Sequence, residues 1–142
     1  IVFGGTGFAF MAAIHYWFPK IYGRMYDKGW ANIGWIVFFI GFLALYTPMF
    51  YLGMMGMPRR YYDYLEEFHA GNILSTCGSW VLVTGLIIII TNLVRSARKG
   101  PVAEMNPWHG KTLEWTVPSP PPVENFDEIP VIAEDDGPYN YK

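Results

Sequence analysis

The sequence predicts an all-α integral membrane chain: three segments of a transmembrane helical bundle, followed by an extended C-terminal tail. Three observations carry that prediction. Hydrophobic residues make up 52% and aromatic residues 18% of the 142 positions, and charged residues only 15%, against about 25% in soluble domains. Three long runs carry no Asp, Glu, Lys or Arg. Charge is also segregated: residues 1–100 hold eight Lys/Arg and four Asp/Glu, net +4, and residues 101–142 hold two and eight, net −6. This pattern excludes a uniform soluble globule. It excludes a nucleic-acid binder, because the basic residues flank apolar runs instead of forming a face. Cys77 is the one cysteine, so no disulfide scaffold is possible. The chain opens at Ile1 directly into apolar sequence with no basic stretch before it, which argues against a secretory signal. It reads as a fragment or a processed piece.

The first run, residues 1–19, is read as the end of a transmembrane helix. Its 18 residues from Ile1 to Phe18 reach about 27 Å at ~1.5 Å per residue, so the expected helix is the C-terminal part of a longer one. Pro19 is expected to stop it. Residues 20–28 form an inner loop with Lys20, Arg24 and Lys28. Residues 29–58 form the second span, with Pro48 expected to kink it near Tyr46–Thr47 and Pro58 expected to end it. Residues 59–69 form an outer loop. Residues 70–94 form the third span. Both later runs exceed the roughly 20 apolar residues that cross about 30 Å of hydrocarbon. Buried helices of a large soluble protein are the alternative, but runs of this length without a polar stripe disfavour it. Tyr16, Trp17, Trp30, Trp35, Tyr61, Tyr62 and Tyr64 cluster at the run ends, as interfacial aromatics do.

Basic residues orient the chain. Lys20, Arg24, Lys28, Arg95, Arg98 and Lys99 lie at the ends predicted to be inside; only Arg59 and Arg60 lie in the opposite loop. The Lys20–Lys28 loop and the tail, residues 95–142, therefore face the cytoplasm or matrix. Pro118, Pro120, Pro121 and Pro122 make an extended tail more favourable than a helix. Gly4, Gly5, Gly7, Gly34 and Gly41 suit close helix packing.

Met57-Pro58-Arg59-Arg60 departs from the charge pattern. The pair follows Gly53-Met54-Met55-Gly56, a small and soft segment able to pack on something flat. Arg offers a rigid fork of donors, so an anion is a natural partner. Interfacial snorkelling and local pairing with Asp63, Glu66 or Glu67 explain the pair equally well from the residues alone. His15, His69 and His109 lack metal-ligand spacing, and no metal site is expected among them. Cys77 reads as a packed free thiol, and Met54, Met55 and Met57 as packing residues. No run contains a carboxylate that could relay protons.

Several motifs in order resemble subunit I of the haem–copper oxidases, the cytochrome c oxidase subunit I family. His15-Tyr16-Trp17-Phe18-Pro19-Lys20 with Gly23-Arg24-Met25-Tyr26 looks like the inner loop after the tenth helix. Leu52-Gly53, Gly56-Met57-Pro58-Arg59-Arg60 and Asp63-Tyr64 resemble the outer loop between helices eleven and twelve. Asn72 and Ser75–Ser79 match the start of helix twelve. Asn106-Pro107-Trp108, Thr112-Leu113-Glu114-Trp115 and Ser119-Pro120-Pro121-Pro122 resemble the tail. The match extends to about Pro130. Phe50, where many relatives carry histidine, and the extra acids Glu66 and Glu67 depart from the pattern.

The resemblance implies a part of a twelve-helix, proton-pumping enzyme that passes electrons from cytochrome c to oxygen and reduces it to water. It implies haem a, haem a3 and CuB as cofactors, with their histidine ligands upstream of Ile1, and no catalytic or metal-ligating residue in this chain. It implies that Arg59 and Arg60 bind the haem propionates and that Phe3, Phe8 and Met11 line the haem pocket. The implied partners are the remainder of subunit I, oxidase subunits II and III, cytochrome c through subunit II, and membrane lipid. The implied site is a bacterial plasma membrane or the mitochondrial inner membrane. On this reading the isolated chain is inactive. A quinol oxidase of the same superfamily and a non-catalytic structural membrane subunit are the alternatives.

Overall fold

A computed structural model describes residues 2–126 and residue 130. The acids beyond Phe126, from Asp127 to Asp136, lie outside the described residues. A π-helical turn, Val2–Gly7, leads into α1 (Phe8–Tyr22). Helix α2 (Lys28–Met54) and helix α3 (His69–Lys99) follow, with short 3-10 turns at Glu66–Phe68 and Leu113–Trp115. Among the described residues there is no strand, only one isolated bridge between Arg24 and Val102. Helices α2 and α3 are long and apolar enough to cross a membrane. The chain divides into two units, one made of Ile1–Tyr26 with Val94–Lys142 and the other of Asp27–Leu93.

In the unit of residues 27–93, Asp27 caps α2: its Oδ1 accepts from the Trp30 amide at 3.0 Å, satisfying one of the free donors of the first turn. Its carbonyl accepts from Asn92 Nδ2 at 2.9 Å. Helices α2 and α3 pack antiparallel along a run of glycines. A Cβ at Gly34 would meet Ile89, one at Gly85 would meet the Phe38 backbone, and one at Gly41 would meet the Leu82 backbone. One at Gly78 would meet the Leu45 backbone, and one at Gly71 would meet the Leu52 side chain. Each step of three, four or seven residues along α2 is matched by the same step back along α3. That is the spacing that keeps one face of each helix in register. Gly34 and Gly41 therefore pack closely, as expected. Gly5 has nothing within 4 Å and Gly7 meets only Phe3, so these two do not share that role among the described residues.

Cys77 is exposed, not packed. It sits one position before Gly78, about 100° round the helix from the stripe that faces α2.

Helix α2 runs through Pro48 without interruption and ends at Met54, before Pro58. Its end is a glycine cap. Gly56 adopts φ 95°, its amide donates to Gly53 O at 3.2 Å, and the Met57 amide donates to Leu52 O at 3.1 Å. This pair of bonds satisfies the last carbonyls, so the helix is closed before the proline is reached.

In the unit of residues 2–26 and 94 onward, α1 also runs past a proline. Pro19 was the expected stop, yet the helix reaches Tyr22. A proline removes one amide donor, but its carbonyl still accepts: the Gly23 amide donates to Pro19 O at 2.9 Å. The stop is Gly23 at φ 63°, a left-handed conformation that suits glycine.

The tail carries the 3-10 turn Leu113–Trp115 and buries Trp115, 1% exposed, and Val117.

Candidate functional site

The arginine pair sits immediately beyond the glycine cap of α2. Arg59 and Arg60 are both exposed. Arg60 adopts φ 57°, a left-handed conformation uncommon outside glycine, asparagine and aspartate. Gly53 and Gly56 have nothing within 4 Å of a would-be Cβ, and Met54 is 72% exposed. The approach to the pair from the end of α2 is therefore open in this unit.

Local pairing with Asp63, Glu66 or Glu67, one of the alternative readings of the pair, is not seen among the described residues. Asp63 Oδ1 accepts from the Tyr64 amide at 2.9 Å. Glu66 and Glu67 form the 3-10 turn that leads into α3. Among the described residues no hydrogen bond or ion pair engages Arg59 or Arg60. Two exposed guanidinium groups, ten N–H donors in all by the inventory of the side chain, face outward from a short loop.

That loop is held from the α3 side. Asn72 Nδ2 lies 3.7 Å from Met57 Sδ and donates to Phe68 O at 2.9 Å. Tyr61 Oη donates to Asn72 Oδ1 at 3.3 Å. Tyr64 Oη lies 3.3 Å from His69 Nδ1, with the two rings stacked at 6.1 Å.

A second polar cluster lies at the end of α1. Lys20 is 6% exposed. Its Nζ donates to Met105 O at 3.0 Å, to Val117 O and to Pro118 O at 3.4 Å, and it lies 5.2 Å from the Trp115 ring centre. Burial pushes its ammonium below the usual lysine value, and the Glu114 carboxylate partly offsets this. Trp115 Nε1 donates to Tyr16 Oη at 2.8 Å, and Trp108 Nε1 to Tyr16 O at 2.9 Å. Arg24 donates to Gly100 O at 2.6 Å. The sequence placed Lys20 and Arg24 among the inner-face charges. It did not show that both are spent on backbone carbonyls of the tail. The Thr112-Leu113-Glu114-Trp115 motif is the one local sign of this cluster.

Of the three histidines, His15 is half-buried and His69 and His109 are exposed. His15 Nδ1 lies 2.7 Å from Met11 O and its ring meets Tyr26 edge-on at 5.0 Å. His109 is exposed, with φ 52°. Among the described residues no three of His, Cys, Asp and Glu gather where they could hold a metal ion.

Comparison with known proteins follows the same lines. A family profile described as Cytochrome C and Quinol oxidase polypeptide I matches residues 1–81. Cytochrome c oxidase subunit 1 of Bacillus subtilis (strain 168) is 37% identical over 135 residues, covering 93% of this chain and 22% of that protein. Cytochrome c oxidase subunit 1 of Synechocystis sp. is 43% identical over 141 residues, covering 99% of this chain and 25% of that protein. A heme-copper oxidase subunit I+III of Aeropyrum pernix is 38% identical over 136 residues, covering 95% of this chain and 16% of that protein. The chain thus spans a quarter or less of the length of these relatives. The profile match over residues 1–81, the near-complete coverage of this chain by its relatives, and the apolar helices α2 and α3 agree: the chain belongs to the cytochrome c and quinol oxidase subunit I family, the helical membrane subunit of the haem–copper oxidases.

Proposed function

We propose that this chain is the C-terminal part of the catalytic subunit I of a proton-pumping cytochrome c oxidase. That enzyme passes electrons from cytochrome c to oxygen, with haem a, haem a3 and CuB as cofactors. The single observation that carries the role of this chain is the arginine pair. Arg59 and Arg60 are exposed and engaged by no carboxylate among the described residues, beside an open glycine-methionine shelf. A flat, apolar group bearing carboxylates fits that shelf and those donors. Haem has this chemistry, with its ring for the shelf and its propionates for the guanidinium groups.

When bound, the haem supplies the electron-transfer chemistry. The chain's own contribution is electrostatic. Arg59 and Arg60 donate to the propionates and hold them ionised in a partly dry site. Their positive charge favours the reduced haem and so raises its potential, as charge and hydrogen bonding near a haem do. Phe3, Phe8 and Met11 are assigned to the apolar wall of the haem pocket. Iron and copper ligation is assigned, on the family resemblance, to histidines in other parts of subunit I.

The partners on this reading are the remainder of subunit I, subunits II and III, cytochrome c docking through subunit II, and membrane lipid. The name of the Aeropyrum relative, a subunit I+III, favours subunit III as a neighbour. The tail is assigned to the cytoplasmic or matrix side of a bacterial plasma membrane or mitochondrial inner membrane. The bonds from Lys20 and Arg24 to tail carbonyls support this assignment, because they keep the tail on the side of the Lys20–Lys28 loop. The family description also covers quinol oxidases; a binuclear copper site in the partner subunit distinguishes the cytochrome c type.

The test is the double variant Arg59→Met with Arg60→Met in the assembled complex. The expected result is a lower haem potential, an altered haem spectrum and slower oxygen consumption. Unchanged spectra, potential and oxygen consumption overturn the propionate role.

A further inference from the structure

Arg59 and Arg60 lie in a loop and have no hydrogen-bond or ion-pair partner among the described residues, yet a donor pair that positions propionates must be held still. The residues on either side of the pair are the ones held. Met57 stands two positions before Arg59, and Tyr61 directly follows Arg60. Both meet the same side chain, Asn72 on α3: its Nδ2 lies 3.7 Å from Met57 Sδ, and its Oδ1 accepts from Tyr61 Oη at 3.3 Å. The amide is itself fixed, because Nδ2 donates to Phe68 O at 2.9 Å, one turn back on the approach to α3. His69 lies three positions earlier, on the same face of the helix, and engages Tyr64. The Tyr61 and Tyr64 rings meet edge-on at 5.6 Å.

We infer that Asn72 is a positioning residue for the arginine pair. It brackets Arg59 and Arg60 by tying the residue before Pro58 and the residue after Arg60 to the first turn of α3. An asparagine suits this place because its amide offers donors and an acceptor from one planar group. Aspartate would supply only the acceptor for Tyr61, and leucine neither. The bracket also accounts for the backbone at Arg60. A left-handed conformation at a non-glycine residue persists where the surroundings over-determine it, and here both flanks are anchored. The inference rests on the propionate reading for its purpose, and the bracket itself stands on geometry.

The experiment uses the assembled, haem-loaded complex with two variants, Asn72→Leu and Tyr61→Phe, beside the Arg59→Met, Arg60→Met double variant. Two readouts are taken: amide hydrogen exchange at Met57, Arg59, Arg60 and Tyr61, and the haem potential. In Asn72→Leu, exchange at these amides is expected to rise roughly three- to tenfold, the range that losing net hydrogen bonds of ordinary strength gives. The haem potential falls in the same direction as in the arginine double variant, by less. Tyr61→Phe removes one hydroxyl and gives a smaller version of both effects; it decides the matter if Asn72→Leu fails to assemble. Combining the two variants adds nothing to Asn72→Leu at Tyr61, since the shared bond is already gone. Unchanged exchange in Asn72→Leu or, failing assembly, in Tyr61→Phe overturns the bracket. A shifted potential in the arginine double variant with no shift in Asn72→Leu overturns the positioning role alone. A silent arginine double variant overturns the propionate reading itself.

Discussion

A lysine ammonium ordinarily keeps its head in water, because removing it from solvent is expensive unless hydrogen bonds replace the lost ones. Lys20 is buried, and tail carbonyls take the place of water: Met105, Val117 and Pro118 all accept from it. Lys20→Met removes these bonds and leaves carbonyls unsatisfied, at a cost of about 1–3 kcal/mol. The expected outcome is faster chymotryptic cleavage at Trp108 and Trp115 in the assembled complex, with Lys20→Arg failing to restore protection because its planar fork does not reproduce the geometry. The two cap glycines give a second comparison at this scale. Gly23 and Gly56 both adopt positive φ, at 63° and 95°. A Cβ at Gly23 would lie 2.7 Å from Pro120 Cδ, whereas one at Gly56 would meet nothing within 4 Å. Gly23→Ala is therefore expected to destabilise more than Gly56→Ala. The latter carries only the backbone strain of about 1–2 kcal/mol. Thermal unfolding of the two variant complexes checks the order.

At the scale of elements, α2 and α3 are held by shape. In a membrane, helices gain little from apolar burial alone, so close backbone approach carries the association. Gly41 opposes the backbone of Leu82 and Gly85 opposes that of Phe38; neither neighbour can yield as a flexible side chain would. Gly41→Val and Gly85→Val are each expected to separate the helices and lower the amount of assembled complex severalfold, read by the yield of haem-containing enzyme from membranes. Gly34→Ala is expected to be milder, because its Cβ would lie 2.8 Å from Ile89 Cγ1 and no nearer than 3.3 Å to backbone, whereas one at Gly41 would meet the Leu82 backbone well inside either distance. The sequence carried part of this stripe. Gly34 and Gly41 lie seven residues apart, and so do Gly71, Gly78 and Gly85, which form the α3 half. The pairing of one set with the other was not visible, because spacing along one helix says nothing about which helix it meets.

At the scale of the whole molecule, the chain is a quarter or less of the relatives it resembles. Among its described residues no metal-holding cluster forms. The purified 142-residue chain, supplied with haem and copper in detergent, is expected to consume no oxygen above the rate of free haem. Oxygen consumption above that rate, sensitive to cyanide, would contradict it.

The sequence by itself determined the elements that depend on local composition. Uncharged runs long enough to cross hydrocarbon produced α2 and α3, aromatics and charges marked their ends, and ordered motifs pointed to the family. Helix ends were legible less well. Prolines at 19 and 58 looked like stops, but a proline removes one donor and leaves its own carbonyl able to accept. The observed stops are the glycines at 23 and 56, where the backbone can turn left-handed at low cost. Only the tertiary structure decided the rest. Lys20 meets a carbonyl 97 positions away and Trp115 meets a hydroxyl 99 positions away, and Asn72 closes on both flanks of Arg59 and Arg60. Local patterns report how a side chain partitions between water and lipid. Which distant carbonyl or hydroxyl then satisfies a buried polar group is fixed by where the chain returns, and that is a property of the fold.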